Sequence, residues 1–172
     1  MEENCSSNMK GLIDTNYPTN ESRLLLLDAG TSDNPQPVAL AAGILSCEVR
    51  CGEECERFFP ADPAGESFTV LTRRSRVYRP HGWRIPGDPA QELVFGRLCL
   101  PQQRRVIFYE YDRAADPSGP NGGRGEGLLL LDGAGEGMAG ERREFFLTLW
   151  VDRFEPGNLT PDGEGYQWTP LT

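Results

Sequence analysis

The segment EFFLTLWVDRF, residues 144–154, is the stretch that most clearly decides how this chain folds. Large apolar residues alternate with a second set of side chains, which is the period of a β-strand. One face of the strand carries Phe145, Leu147, Leu149 and Val151. The other face carries Phe146, Thr148, Trp150 and Asp152. We expect the first face to belong to the core, and the second to be either covered by another element or exposed for binding.

Stretches on both sides of this segment have the composition of short strands separated by Gly, Pro and Asp. The predicted strands are residues 23–28 (RLLLLD), 67–78, 92–100, 104–111 (RRVIFYEY) and 127–132 (GLLLLD). The predicted loops are residues 80–89 (PHGWRIPGDP), 114–127 and 133–140. Residues 155–172 combine turn residues with Tyr166 and Trp168, so we expect this end of the chain to pack back on the body.

Residues 36–58 can be interpreted as strands or as a helix. In the strand interpretation, residues 44–50 pair with residues 54–59 across a turn at Cys51 and Gly52. Two short strands in this place would agree with the β-rich pattern of the rest of the chain. We favour this interpretation, because a helix here would contain two glycines.

The helical alternative has a supporting pattern of its own. Asn34 would cap the helix, and Pro35 suits the first helical position. The apolar residues would form one stripe, at Leu40, Ile44, Cys47, Cys51, Cys55 and Phe58. Gly43 and Gly52 would each cost the helix about 1 kcal/mol, which makes the helix the second choice.

Together these segments predict a mainly β, antiparallel protein. The expected architecture is a β-sandwich, a jelly roll or a small closed barrel, with one helix within residues 36–58 as the alternative. Residues 1–22 are rich in Asn, Ser and Thr and contain no Arg. We therefore predict a flexible N-terminal tail over residues 1–22 and a single β-rich domain over residues 23–172.

The chain is acidic: its 172 residues contain 17 basic and 26 acidic side chains, for a formal net charge of −9. Such a field repels phosphate backbones and disfavours nucleic acid as a partner. No segment approaches the roughly 18 apolar residues of a membrane-spanning helix, so we expect no membrane insertion. Five cysteines and no apolar leader indicate a cytoplasmic or nuclear protein, secreted only if the chain is a fragment of a longer precursor.

Few residues have the pattern of a catalytic or metal site. His81 is the single histidine, and the chain has neither a nucleophile elbow nor a phosphate-binding glycine loop. Cysteines recur at every fourth position, whereas structural zinc sites prefer other spacings. We therefore predict no metal and no cofactor. The alternative is a metal site built from Cys47, Cys51, Cys55 and Cys99.

Arginines cluster at positions 73, 74, 76, 79 and 84, with aromatic residues between them. Trp and Arg are the residues that most often dominate protein–protein contacts. The predicted binding residues are Trp83, Arg84, Arg74, Arg76, Phe146 and Trp150. The leading hypothesis is a non-enzymatic module that binds another protein, a second copy of the chain included, in a viral, host-interaction or other oligomeric assembly.

Two other classes of function stay open. A small-ligand-binding barrel would have an apolar interior lined by Phe108, Phe145, Leu147 and Leu149. An enzyme would depend on His81 or on carboxylates.

Overall fold

The computed structural model describes residues 23–31, 33–58, 65–134, 143–163 and 165–171, apart from the side chains of Thr72 and Ala134. Eight strands and one α-helix make up this part of the chain, so the predicted mainly β fold is confirmed. The elements are β1 (Arg23–Asp28), β2 (Pro37–Ala39), β3 (Ile44–Phe58), β4 (Phe68–Trp83), α1 (Pro89–Cys99), β5 (Arg105–Asp112), β6 (Gly122–Ala134), β7 (Glu144–Asp162) and β8 (Gly165–Pro170). The predicted tail, residues 1–22, lies outside the described residues.

All eight strands belong to one antiparallel sheet. Their order is β2-β1-β5-β6-β7-β4-β3, and β8 pairs with the C-terminal part of β7. The sheet is open between β2 and β3, so the closed-barrel alternative is wrong. The side chains predicted to line a ligand cavity are 0–2% exposed and pack in one core: Phe108, Phe145, Leu147 and Leu149.

Apolar side chains cover parts of both faces of the sheet. On the inner face, α1 lies against β1, β2 and β6 and adds three buried residues to the core: Ala90, Val94 and Leu98. On the outer face, Tyr166 and Trp168 of β8 pack over β1 and β5. β1 is therefore buried on both faces, which agrees with its uninterrupted run of leucines. A single open sheet whose two faces are partly covered in this way has a β-sandwich-like arrangement.

Helix α1, Pro89–Cys99, lies where the sequence predicted a strand over residues 92–100, so this prediction is wrong. The Asp88 carboxylate caps the helix by accepting a hydrogen bond from the Gln91 N–H at 2.9 Å, and Pro89 follows at the first turn. The buried Gln91 amide donates to the carbonyl oxygens of Ala42 and Trp83, at 2.7 and 3.0 Å. The helix start is hidden in the sequence because its Asp-Pro pair follows a proline-rich loop.

β3 runs without a break through residues 44–58, so the predicted turn at Cys51 and Gly52 is wrong, as is the helical alternative. The expectation of strands in this segment is confirmed. The partner of β3 is β4, in a register that places Cys51 opposite Arg76 and Phe58 opposite Phe68. Pairing with a strand of equal length satisfies backbone groups that a local turn would leave unpaired.

β4 extends to Trp83, although the prolines of residues 80–89 predicted a loop there. Pro80 has no N–H to donate and is unusual inside a sheet. The pairing of β4 with β7 covers residues 76–78 and 81–83 of β4 in one register and is interrupted between them. The interruption accommodates Pro80 and leaves a loop of residues 84–88 before the helix.

The glycines at the start of β6 led to a second false prediction of a loop. The strand begins at Gly122, so the loop that precedes it is residues 113–121 and not 114–127 as predicted. A Cβ atom at Gly123 would clash with the ring of Phe154, and one at Gly125 with the ring of Phe108. Glycine is required here by close packing under aromatic rings, which a sequence pattern does not distinguish from a turn.

The other predicted strands are confirmed, most of them with wider bounds. Residues 155–162 continue β7 instead of forming turns, and Trp168 packs back on the body as expected. Of the predicted loop 133–140, the structure describes only Gly133 and Ala134, which end β6. Within the described ranges, no helix has the length and apolar character needed to cross a membrane.

Candidate functional site

In the part of the chain that the structure describes, one surface of β4, β7 and β6 stays open to solvent, and we call it the open face. It lies on the outer face of the sheet, beside the area that β8 covers. Phe146 is 43% and Trp150 is 47% exposed. The remaining members are Val77 and His81 of β4, Thr148 of β7, and Leu128 and Leu130 of β6. Val77 and Thr148 are buried between their neighbours. The two aromatic residues on the second face of residues 144–154 are thus exposed rather than covered.

The register of the sheet brings these side chains together. Trp150 is directly opposite Val77 on one side and Leu128 on the other. Phe146 is directly opposite His81. Side chains that face each other across adjacent strands are about 5 Å apart, so three strands contribute to one continuous apolar surface.

A β-bulge ends the open face beyond Trp150. Asp152 is the extra residue of β7, between two successive pairs with β6. An extra residue reverses the alternation of the strand, so Phe154 joins the inner core although it is an even position like Trp150. Trp150 is therefore the last aromatic residue of β7 on the open face.

His81 lies flat against Phe146, with ring centroids 4.3 Å apart and planes 5° apart. Its Nε2 atom is 2.5 Å from Oε1 of Glu144, so the ring nitrogen donates to the carboxylate when it carries the proton. This arrangement places a polar pair, an imidazole and a carboxylate, at the edge of an apolar surface.

One polar pair lies within the open face. The Thr148 hydroxyl, in a residue that is 3% exposed, donates a hydrogen bond to the Asp132 carboxylate. Asp132 is the extra residue of a second bulge, on β6. Because the hydroxyl has a partner, its burial carries little penalty, and the surface around it remains apolar.

A second exposed surface projects from the body, and we call it the arm: residues 51–58 of β3 and 68–75 of β4. The pairing of β4 with β7 ends at Arg76, so in the arm these two strands pair only with each other within the described sheet. The rings of Phe58 and Phe68 stack with centroids 5.6 Å apart. Four large apolar residues of the arm are 40–57% exposed: Phe58, Phe68, Val70 and Leu71. The arm was not predicted, because it depends on where β4 leaves β7.

The arginines predicted as one cluster are divided among separate surfaces. Arg74 is on the arm and forms an ion pair with Glu53 at 3.0 Å. Arg84 lies beside α1, with its guanidinium 3.8 Å from the centre of the Phe95 ring. Trp83 is half-buried at the end of β4. Two of the six predicted binding residues share one exposed surface: Phe146 and Trp150.

Arg76 belongs instead to a buried charge cluster that the sequence did not predict. Glu110 is 7% exposed and forms ion pairs with Arg76 and Arg23, each at 3.3 Å. It also accepts a hydrogen bond from the Tyr78 hydroxyl. Burial, followed by the nearby Glu110 carboxylate, raises the pKa of Tyr78 well above its usual value. The cluster joins β1, β4 and β5, and its only sequence signal is a glutamate between two tyrosines.

The cysteines considered as metal ligands are spread along the molecule. Cys47, Cys51 and Cys55 lie on β3, where a spacing of four residues corresponds to about 13 Å, too far for one zinc ion. Cys99 ends α1 on a different element. Among the described residues, no three His, Cys, Asp or Glu side chains form a group that could hold a metal. The structure therefore does not bring Cys47, Cys51, Cys55 and Cys99 together. Burial raises the pKa of Cys47 to about 12.

These features define a protein with a curled antiparallel sheet, one helix, an open aromatic face and a projecting arm. No protein-family model matches the sequence, and no curated protein does. Among solved structures, the fold is similar to that of a chain in the tail of an empty gene transfer agent particle with C6 symmetry. The TM-score is 0.50 at 13% identity, and the match covers 87% of this chain and 97% of that one.

Two further structures contain chains with some similarity. One is the virion of a native gene transfer agent particle, with a TM-score of 0.49, 12% identity, and 87% and 97% of the two chains covered. The other is the sheath/tube terminator of an extracellular contractile injection system, with a TM-score of 0.48, 11% identity, and 80% and 95% covered. At identities this low, what the comparisons show is the fold.

Proposed function

We propose that this protein is a non-enzymatic assembly module, a subunit that binds further copies of itself within a tail-like, phage-derived particle. The arm is the observation that carries this proposal. It is a long element whose two strands pair only with each other within the described sheet, and whose four large apolar side chains stay 40–57% exposed.

The energetics of the arm favour a partner. A two-stranded hairpin by itself is marginally stable in water. Phe58 and Phe68 are each about half exposed, so burying both removes roughly 200 Å² of apolar surface, worth about 5 kcal/mol before the costs of association. A protein partner would supply this burial and order the arm at the same time.

The similar chains indicate what kind of assembly to test. The chain with a TM-score of 0.50 comes from a tail with C6 symmetry, which repeats each chain around one axis. A shared fold alone does not assign a function. The likeness therefore supports the choice of a tail-like particle, and the exposed arm supports the binding of protein.

The test is the mass of the protein in solution as a function of concentration, measured by light scattering or sedimentation. We expect species at multiples of the 19.1 kDa chain mass. The double substitution Phe58→Ser with Phe68→Ser should shift the protein to the monomer. Leu100→Ser is the matched control, because Leu100 is also exposed (42%) but follows α1 and is not on the arm. A wild-type chain that stays monomeric at every concentration would contradict the proposal.

A further inference from the structure

The chain carries two apolar surfaces that cannot cover each other. β4 contributes to both: Phe68 and Val70 are on the arm, whereas Val77 and His81 are on the open face. Phe68 and Val77 are nine residues apart on one extended strand, a distance of about 30 Å. An extended strand does not fold back on itself, so a contact between the two surfaces has to join different molecules.

We infer that the arm of one copy docks on the open face of the next copy. The inference rests on the proposed function and names the docking site for the arm. The occupant is a second copy of this chain, because the same sequence provides both surfaces. The stacked pair Phe58 and Phe68 supplies the apolar side chains of the arm, and Phe146 and Trp150 supply those of the receiving surface.

The charge of the arm fits binding to a copy of the same acidic protein. A net charge of −9 makes whole chains repel one another. The two strands of the arm add no net charge to a contact, because their three acidic and three basic residues cancel: Glu53, Glu54, Glu56, Arg57, Arg73 and Arg74. The acidic residues of this hairpin that have no such counterpart, Asp62 and Glu66, belong to the segment that joins the two strands.

The exposed aromatic area of each surface is suited to the apolar centre of a standard protein–protein interface. Phe58 and Phe68 together expose roughly 200 Å² of aromatic surface, and Phe146 with Trp150 exposes about as much. A standard interface buries about 1,600 Å² in total, with an apolar centre and a polar rim. The aromatic residues would form the centre, and the arm's paired charges would lie in the rim.

A contact between two different surfaces runs head to tail. Such a contact closes into a ring when the rotation between neighbours divides a full turn, and otherwise produces a filament. Each copy then uses its arm once and its open face once. This predicts that damage to either surface stops growth, and that the two kinds of damage complement each other.

The experiment mixes two variants. The arm variant carries Phe58→Ser and Phe68→Ser, and the face variant carries Phe146→Ser and Trp150→Ser. We expect each variant alone to be a monomer. An equimolar mixture should form a heterodimer of twice the 19.1 kDa chain mass, because one partner keeps an intact face and the other an intact arm. Leu100→Ser should assemble like the wild type.

The other outcomes are distinct. If the face variant alone dimerises, the arms bind each other, and if the arm variant alone dimerises, the faces do. Either result overturns the inferred docking site and leaves the proposed self-assembly standing. A wild-type chain that never assembles overturns both. If circular dichroism shows that a variant is unfolded, hydrogen exchange of the wild type decides instead. Concentrated protein should protect residues 68–75 and 145–151 together, and protection of only one segment would refute the pairing.

Discussion

Replacement of Gly125 by alanine tests whether β6 is a packed strand or the loop that its glycines indicate. Gly125 is opposite Phe108 of β5 and Phe154 of β7. A Cβ atom there would overlap the Phe108 ring and lie 2.8 Å from the carbonyl oxygen of Arg153. Phe108 is 0% exposed, so its ring has no free space to move into. The new methyl group therefore displaces the core or the backbone of β7.

Overpacking of a close-packed core costs about 1–3 kcal/mol. We expect about 3 kcal/mol for Gly125→Ala, because one of the atoms in the way belongs to the backbone and cannot change rotamer. Urea unfolding followed by tryptophan fluorescence measures this loss. With a denaturant dependence of about 2 kcal/mol per molar, the midpoint should fall by about 1.5 M.

Two other glycines provide matched controls for the same substitution. Gly119 lies in the loop before β6, where the nearest atom to a Cβ is 3.8 Å away, so Gly119→Ala should stay within about 0.5 kcal/mol of the wild type. Gly96 lies within α1 with nothing inside 4 Å, so Gly96→Ala should stabilise the protein by about 1 kcal/mol. If Gly125→Ala proved as harmless as Gly119→Ala, β6 would not pass under Phe108, and the account of its glycines would fail.

Three further predictions concern buried groups. Glu110→Ala removes the buried carboxylate that pairs with the half-buried Arg23 and Arg76 and accepts a hydrogen bond from the Tyr78 hydroxyl, and it should cost about 3 kcal/mol in urea unfolding. Arg105→Ala, which breaks an exposed ion pair, should cost under about 1 kcal/mol, and equal losses would refute a structural role for the buried cluster. The pKa of the Tyr78 hydroxyl is raised in the folded protein, so above about pH 10 the hydroxyl loses its proton only in the unfolded chain. The free energy of unfolding should therefore fall as the pH rises, by up to about 1.4 kcal/mol per pH unit for this group. Tyr78→Phe should remove this part of the pH dependence. With its pKa raised from 9.0 to about 12, Cys47 should react with a thiol reagent at pH 8 roughly a thousandfold more slowly than an unperturbed thiol. The exposed Cys55 and Cys99 should react before it, and labelling followed by peptide mass spectrometry checks the order.

The sequence predicts those elements whose structure is set by residues close together in the chain. The alternation in residues 144–154 identifies β7 and separates Phe145 from Phe146, which places one in the core and the other on the open face. The alternation no longer predicts which face a residue occupies beyond Asp152, because the bulge there depends on the pairing with β6. The sequence alone therefore assigns Phe146 and Trp150 to the face of β7 that the structure leaves exposed.

The remaining features depend on contacts between segments far apart in the chain. Pro80 is tolerated in β4 only because the ladder with β7 is interrupted beside it. Gly123 and Gly125 of β6 are explained by the rings of Phe154 of β7 and Phe108 of β5. The arm exists because β4 parts from β7 at Arg76, and the Glu110 cluster requires three strands to meet. No window of neighbouring residues contains this information.

The strand order also has a consequence for how fast the protein folds. β3 with β4, and β5 through β8, are joined as successive hairpins, whereas β1 pairs with β5 across a separation of 89 residues, between Arg23 and Asp112. Closing so long a loop is entropically costly, and contacts distant in sequence slow folding. We therefore expect the hairpins to form early and the leucine-rich β1 to dock last. Substitutions in β1 should then accelerate unfolding while leaving the folding rate nearly unchanged.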